Sequence, residues 1–240
     1  MFCMLDRCTR GHAAFAWPNT VHQLCTGPAG RFQLPRLPRP GTNNLEEHLE
    51  LAKERGFAII PEIKQAFAVN KILAQRGIQN TIENLTLHEL AKHGYESADD
   101  LCFIQTFEFS TLKALSESGS DLRRVFLANH VDLLSEEWIS KYKELGIYGV
   151  GVDKNLIVVK NPNGHINFTN IELMDRLHGH GLQVFSWTFR NEHDELSSWD
   201  DGQDPYVEYQ RFFDAGLDGF FTDFPGSLKR FFNTKEIPRM

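Results

Sequence analysis

Phe57-Ala58-Ile59-Ile60-Pro61-Glu62-Ile63-Lys64 is an apolar run that ends by presenting two opposite charges. It reads as a buried strand. Side chains two apart on a strand share a face, so Glu62 and Lys64 project together. They are flanked by apolar Ile60 and Ile63. Charges at the end of a hydrophobic run need a partner or a purpose, because burial without one is costly. A salt bridge closing the strand is the plain reading, and half of a binding site is the functional one. The neighbouring stretches decide between them.

Before the run, Asn43 or Asn44 can cap a helix with Glu46 and Glu47 in its first turn. Leu45, Leu49 and Ala52 follow at helical spacing, and Gly56 closes it. After the run a helix begins near Ala66. Strands are then predicted over Phe103–Phe107, Arg124–Leu127, Tyr148–Val152, Leu182–Thr188 and Asp218–Asp223. Helices are expected between them, over roughly 110–116, 135–145, 169–179 and 206–215. Short apolar strands alternating with capped helices indicate βα units around a parallel sheet. A complete (β/α) barrel has eight strands in about 250 residues. The expected fold class is therefore α/β, of (β/α) TIM-barrel type and incomplete, with about six of eight strands recognisable. An open sheet of that kind should leave Ile59 and Ile63, or residues of the last strand, exposed along raw edges.

The first two strands of a barrel would have to come from residues 1–56, which do not read that way. Within residues 1–40, five arginines (Arg7, Arg10, Arg31, Arg36, Arg39) stand against Asp6 alone, and Pro18, Pro28, Pro35, Pro38 and Pro40 interrupt any long element. The expected organisation is an irregular leader over 1–41 and a barrel domain over 42–240. The leader is Arg-rich and acid-poor like a transit peptide, but it shows no amphipathic helix. It lacks the apolar core of a secretory signal. No run reaches the ~18 apolar residues of a membrane span. The net charge of −7 argues against nucleic acid as a partner. Cys102 sits in an apolar run as a core residue, and His12 and His22 have no partners at metal-ligand spacing. Oligomeric state and compartment leave no mark in the sequence.

Chemistry in a parallel barrel collects at the C-terminal ends of strands. Those ends hold Glu62 and Lys64, Gln105 and Phe107, Asp153, Trp187-Thr188 with Asn191, and Thr222-Asp223. Oxygen donors, an ammonium and an aromatic wall suit a hard cation and an anionic small-molecule substrate. Residue by residue, plain readings stand beside this one: Trp187 as core, Thr222 as structural, Asp223 as a turn cap.

Pro61-Glu62-Ile63-Lys64, Gln105-Thr106-Phe107, Trp187-Thr188 with Asn191, and Asp218-Gly219 running into Thr222-Asp223-Phe224-Pro225 resemble the glycerophosphodiester phosphodiesterase family in order and spacing. The resemblance covers roughly residues 42–233. It implies a (β/α) barrel that hydrolyses glycerophosphodiesters to sn-glycerol 3-phosphate and an alcohol with a divalent cation, Ca²⁺ or Mg²⁺. It implies Glu62 as a metal ligand, Lys64 as the phosphate-binding cation, Trp187 as the aromatic wall beside the glycerol and Phe107 as pocket lining. The family's His-Arg-Gly motif, its Glu-x-Asp ligands and its second catalytic His have no counterpart here; Arg10-Gly11-His12 has the wrong order and no preceding strand. The chain thus resembles a member truncated at its N-terminus, and no catalytic residue is assigned. Two alternatives stay open: a non-catalytic remnant that binds a phosphate-bearing ligand or a protein partner, and a related barrel phosphodiesterase acting on sphingophospholipids.

The remaining histidines have plain readings. His178 and His180 fall at a helix C-terminus on the barrel's structural end, where the helix dipole suits them. His130 lies on the catalytic rim. His165 and His193 sit in loops. The acidic stretch Trp199–Asp204 reads as a solvated insertion or a flap over the site.

Overall fold

Helix α1 (Leu45–Arg55) forms where the acidic first turn and basic last turn match the helix dipole, and it buries Leu49 and Ala52. Gly56 follows at φ 65°, the left-handed stop that glycine allows. The computed structural model describes residues 2–5, 14–17, 45–160, 162–163, 166–197 and 204–234. In chain order the other elements are β1 (Phe2–Leu5), β2 (Ala14–Trp17), β3 (Glu62–Ile63), α2 (Ala66–Gln75), α3 (Ile82–Lys92), β4 (Phe103–Thr106), α4 (Phe109–Glu117) and β5 (Arg123–Ala128). They continue with α5 (Glu136–Glu144), β6 (Gly149–Asp153), α6 (Lys154–Ile157), β7 (Val158–Lys160), β8 (Ile166–Thr169), α7 (Ile171–Gly179), β9 (Gln183–Phe189), α8 (Pro205–Asp214), β10 (Gly219–Thr222) and α9 (Pro225–Asn233). Among the described residues no helix is long and apolar enough to cross a membrane.

The sheet runs β2-β1-β10-β9-β6-β5-β4-β3. Six of these strands, β3 to β6 with β9 and β10, are mutually parallel, the predicted βα units of an incomplete TIM-type barrel. The sheet is open, as expected, with β3 at one end. At the other end the outcome differs. Strand β1 pairs antiparallel with β10, Cys3 opposite Thr222, and β2 pairs antiparallel with β1. So a strand does precede Arg10-Gly11-His12, formed by apolar segments too short to show a period. The rest of the leader lies outside the described residues, His12 and His22 included. The β7–β8 antiparallel pair was likewise not predicted.

The expectation that Ile59 and Ile63 line a raw edge is overturned: they are 1% and 4% exposed. An open edge exposes backbone, whereas these side chains stand perpendicular to the sheet. They pack outward with Leu49 and Ala52 of α1, Leu90 of α3 and Leu115 of α4. The alternate residues Ala58 and Ile60 turn inward and meet Phe103, Val125, Phe185 and Phe221. This aromatic floor fills the concave face, each buried Phe contributing about 1.5–3 kcal/mol. The same alternation carries Glu62 inward, above the floor, at the C-terminal rim.

On the opposite rim, Asp218 Oδ2 accepts from the Val184 amide at 2.7 Å and lies 2.8 Å from His178 Nε2. His180 Nε2 pairs instead with Glu136 at 3.0 Å. The two histidines therefore pair with different carboxylates. Asp218→Ala orphans a buried amide and is expected to lower stability by about 2 kcal/mol in urea unfolding. A loss within error would show that water replaces the carboxylate.

Candidate functional site

Strand pairing builds the site. Glu62 stands opposite Gln105, and Asp153 opposite Trp187. Glu62 Oε2 accepts a long hydrogen bond from Gln105 Nε2 at 3.4 Å and lies 3.4 Å from Lys64 Nζ. The Glu62 side chain is 11% exposed and that of Lys64 64%. With one partner so exposed, the pair is worth under about 1 kcal/mol. Burial raises the Glu62 carboxyl above its ordinary range, and Lys64 and Gln105 oppose the shift without cancelling it. Two further atoms are buried without a hydrogen-bond partner, Glu62 Oε1 and Gln105 Oε1. Neighbouring orphaned oxygens on adjacent strands are the donors that a hard cation takes. On that observation the residues fit a divalent ion, with Glu62 and Gln105 as its holders. Sequence reasoning placed Gln105 on the rim but gave it no role, because its pairing with Glu62 exists only in the β3–β4 register.

The backbone on either side of Lys64 is held by its surroundings. Thr106 Oγ1 donates to the Ile63 carbonyl at 2.9 Å and accepts from the Glu108 amide at 3.0 Å, which ties the ends of β3 and β4 together. Next to Lys64, Gln65 takes φ 54°, a left-handed conformation rare for a side-chain-bearing residue. The Glu108 carboxylate accepts from the following amides, Ala66 at 2.9 Å and Phe67 at 3.4 Å. Glu108 thus holds the turn that follows Lys64, a role that only the fold reveals.

Trp187 Nε1 donates to the Gly151 carbonyl at 2.9 Å, so the ring is fixed against β6. Phe107, 39% exposed, meets it edge to face at 5.4 Å. That contact joins the end of β4 to the end of β9 across the concave mouth, so Glu62, Gln105, Phe107 and Trp187 share one rim. A Cβ at Gly151 would come 2.6 Å from the end of the buried Leu127 side chain, which would have to shift to admit one.

Other rim residues are engaged in structure. Asp153 Oδ1 accepts from the Asn155 amide at 2.9 Å and caps α6. Asn191 donates to Ser227 Oγ at 2.7 Å and accepts from the Tyr209 hydroxyl. Thr222 donates to the Phe189 carbonyl at 2.8 Å, and Asp223 pairs with Arg190 at 3.4 Å. His130 is exposed and turned to Asp132, whose amide donates to its Nδ1. His193 lies on an exposed turn. His165 and residues 199–203 of the acidic stretch lie outside the described residues; Asp204 caps α8. Away from the rim, Glu46, Glu50 and His93 bring ligand atoms within 4.8 Å of one another. Lys92 already occupies Glu46 at 3.0 Å.

The glycerophosphoryl diester phosphodiesterase family profile matches residues 4–227. The chain belongs to this family. A glycerophosphodiester phosphodiesterase of Arabidopsis thaliana is 32% identical over 207 residues, 78% of this chain and 54% of that protein. One of Haemophilus influenzae is 27% identical over 206 residues, 74% of this chain and 53% of that protein. The chain spans about half the length of the curated relatives it matches. Among solved structures, an Oleispira antarctica phosphodiesterase in complex with the product sn-glycerol-3-phosphate superposes with a TM-score of 0.58 at 13% identity, covering 79% of this chain and 61% of that one. A putative glycerophosphodiester phosphodiesterase of Galdieria sulphuraria gives 0.59 at 15% identity, over 87% and 73%. These likenesses carry the fold, and the family follows from the profile.

Because the folded-state pKa of Glu62 is raised, its charge costs stability fully above that pKa, and the cost fades as pH falls toward the unfolded value. Glu62→Gln is therefore expected to stabilise the chain at neutral pH, with the gain vanishing on acidification. Urea midpoints across that range check it; a gain that grows toward acid would contradict the burial argument.

Proposed function

We propose that the ligand of this rim is a glycerophosphodiester and that the chemistry served there is its hydrolysis to sn-glycerol 3-phosphate and an alcohol. The supporting observation is the group of Glu62 and Gln105, with their orphaned oxygens, beside Lys64. In this reading the Lys64 ammonium takes the phosphate. Trp187 and Phe107 wall the glycerol, and Glu62 with Gln105 holds Ca²⁺ or Mg²⁺. A bound divalent cation supplies charge stabilisation to the non-bridging oxygens. Lys64 adds to it from the protein side, where charge develops on those oxygens. The Trp187–Phe107 edge contact keeps one side of the rim apolar, which orients a ligand whose other side is ionic.

A second reading is a chain that binds the phosphate-bearing ligand without turnover. It is favoured because, among the described residues, no histidine contacts the Glu62–Lys64 pair. General acid–base groups contribute about 10²–10⁴-fold each to such reactions. Release of sn-glycerol 3-phosphate from glycerophosphocholine with Ca²⁺ or Mg²⁺ separates the two. Turnover abolished by Lys64→Ala supports hydrolysis. Binding of sn-glycerol 3-phosphate by folded protein without turnover supports the second reading. A panel including a sphingophospholipid exposes the related phosphodiesterase activity.

A further inference from the structure

Helix α2 begins two residues after Lys64 and is unlike the others. It is the most apolar of the helices with nine or more residues, yet Ala66 is its one buried residue. Phe67 is 81% exposed and Ile72 47%, with Ile78 just beyond the helix at 42%. Ala68 and Ala74 are exposed as well. Its inward side is fixed by polar contacts: Asn70 donates to Glu83 at 2.9 Å and accepts from the Ile82 amide at 2.7 Å.

Charge distinguishes the outer face further. From Ile63 to Ile82 the chain has no Asp or Glu, while Lys64, Lys71 and Arg76 are exposed there. This is a cationic, acid-free stretch in a chain of net charge −7. We propose that α2 seats the protein on an anionic lipid surface, with Phe67, Ile72 and Ile78 entering the headgroup–acyl boundary. Lys71 and Arg76 then lie against the anionic headgroups. Attachment to a lipid interface strengthens with the apolar area buried in it and with the attraction of cations to anionic lipid, and this surface offers both. A second copy of the chain fits less well, since one ten-residue helix is short of the roughly 800 Å² per partner of a stable interface. Docking through α2 brings Lys64 and the rim to the lipid surface.

Cosedimentation of the full chain tests this without reference to catalysis. The probes are vesicles of about one-third phosphatidylserine in phosphatidylcholine, against phosphatidylcholine alone, at low and high salt. Binding is expected to the first, weakening with salt. Phe67→Ser should weaken it at least about tenfold. Lys71→Gln and Arg76→Gln should each weaken it about fivefold. All three positions are exposed, so thermal midpoints should stay unchanged. The proposal is overturned if the wild type shows no preference for the anionic vesicles, or if Phe67→Ser binds as well as wild type. It is also overturned if light scattering shows a dimer that Phe67→Ser dissolves.

Discussion

Glu208→Ala is expected to cost about 3–5 kcal/mol, because it leaves a buried ammonium without its counter-charge. Lys154 Nζ lies 3.0 Å from Glu208 Oε1 and donates to the Glu195 carbonyl at 2.6 Å. The two side chains are 8% and 1% exposed. Ser197 adds its hydroxyl at 2.5 Å and its amide at 3.2 Å to the same carboxylate oxygen. Removing the carboxylate therefore takes an acceptor from three donors at once, although Lys154 keeps the Glu195 carbonyl, and loosens the segment after β9. Desolvation decides the size of the loss, since the pair's own attraction largely offsets the cost of burying it. The double variant Lys154→Met/Glu208→Leu removes both charges and should come close to wild-type stability. Urea unfolding at neutral pH distinguishes these outcomes. A loss under about 1 kcal/mol for Glu208→Ala would mean that water reaches Lys154.

Lys64→Ala should weaken sn-glycerol 3-phosphate binding by about 10- to 100-fold, the value of a charge-assisted hydrogen bond to phosphate. Its effect on folding should stay within about 0.5 kcal/mol, because most of the side chain faces solvent. The same change removes the Lys64 cation from beside Glu62, leaving burial to raise the carboxyl further. Calorimetric titration reads the first effect and urea unfolding the second. Unchanged affinity would move the phosphate away from Lys64.

Strand endings were legible because period-two alternation survives in short apolar runs. Phe103 to Thr106 and Gly149 to Asp153 fall close to where the pattern put them, and Asn170 caps α7 as expected. What escaped depended on pairing between distant segments. The Glu62–Gln105 contact needs the β3–β4 register, and Lys154 meets Glu208 across 54 residues. Ile59 and Ile63 were misplaced because an open sheet was taken to expose side chains, when α1, α3 and α4 cover that face. Helix α3 escaped because its apolar face is weak; its cap, Thr81 Oγ1 accepting from Asn84, is formed locally.

The family likeness first rested on Pro61-Glu62-Ile63-Lys64, and those residues now have a physical setting. Glu62 is desolvated, and its second oxygen is left without a donor. Titration of sn-glycerol 3-phosphate into the chain with Ca²⁺ present tests the site most directly, with Glu62→Gln and Lys64→Ala alongside. Saturable binding that needs Ca²⁺ and weakens in both variants is the predicted result. Binding that is absent from folded wild type, or indifferent to both substitutions, would contradict it.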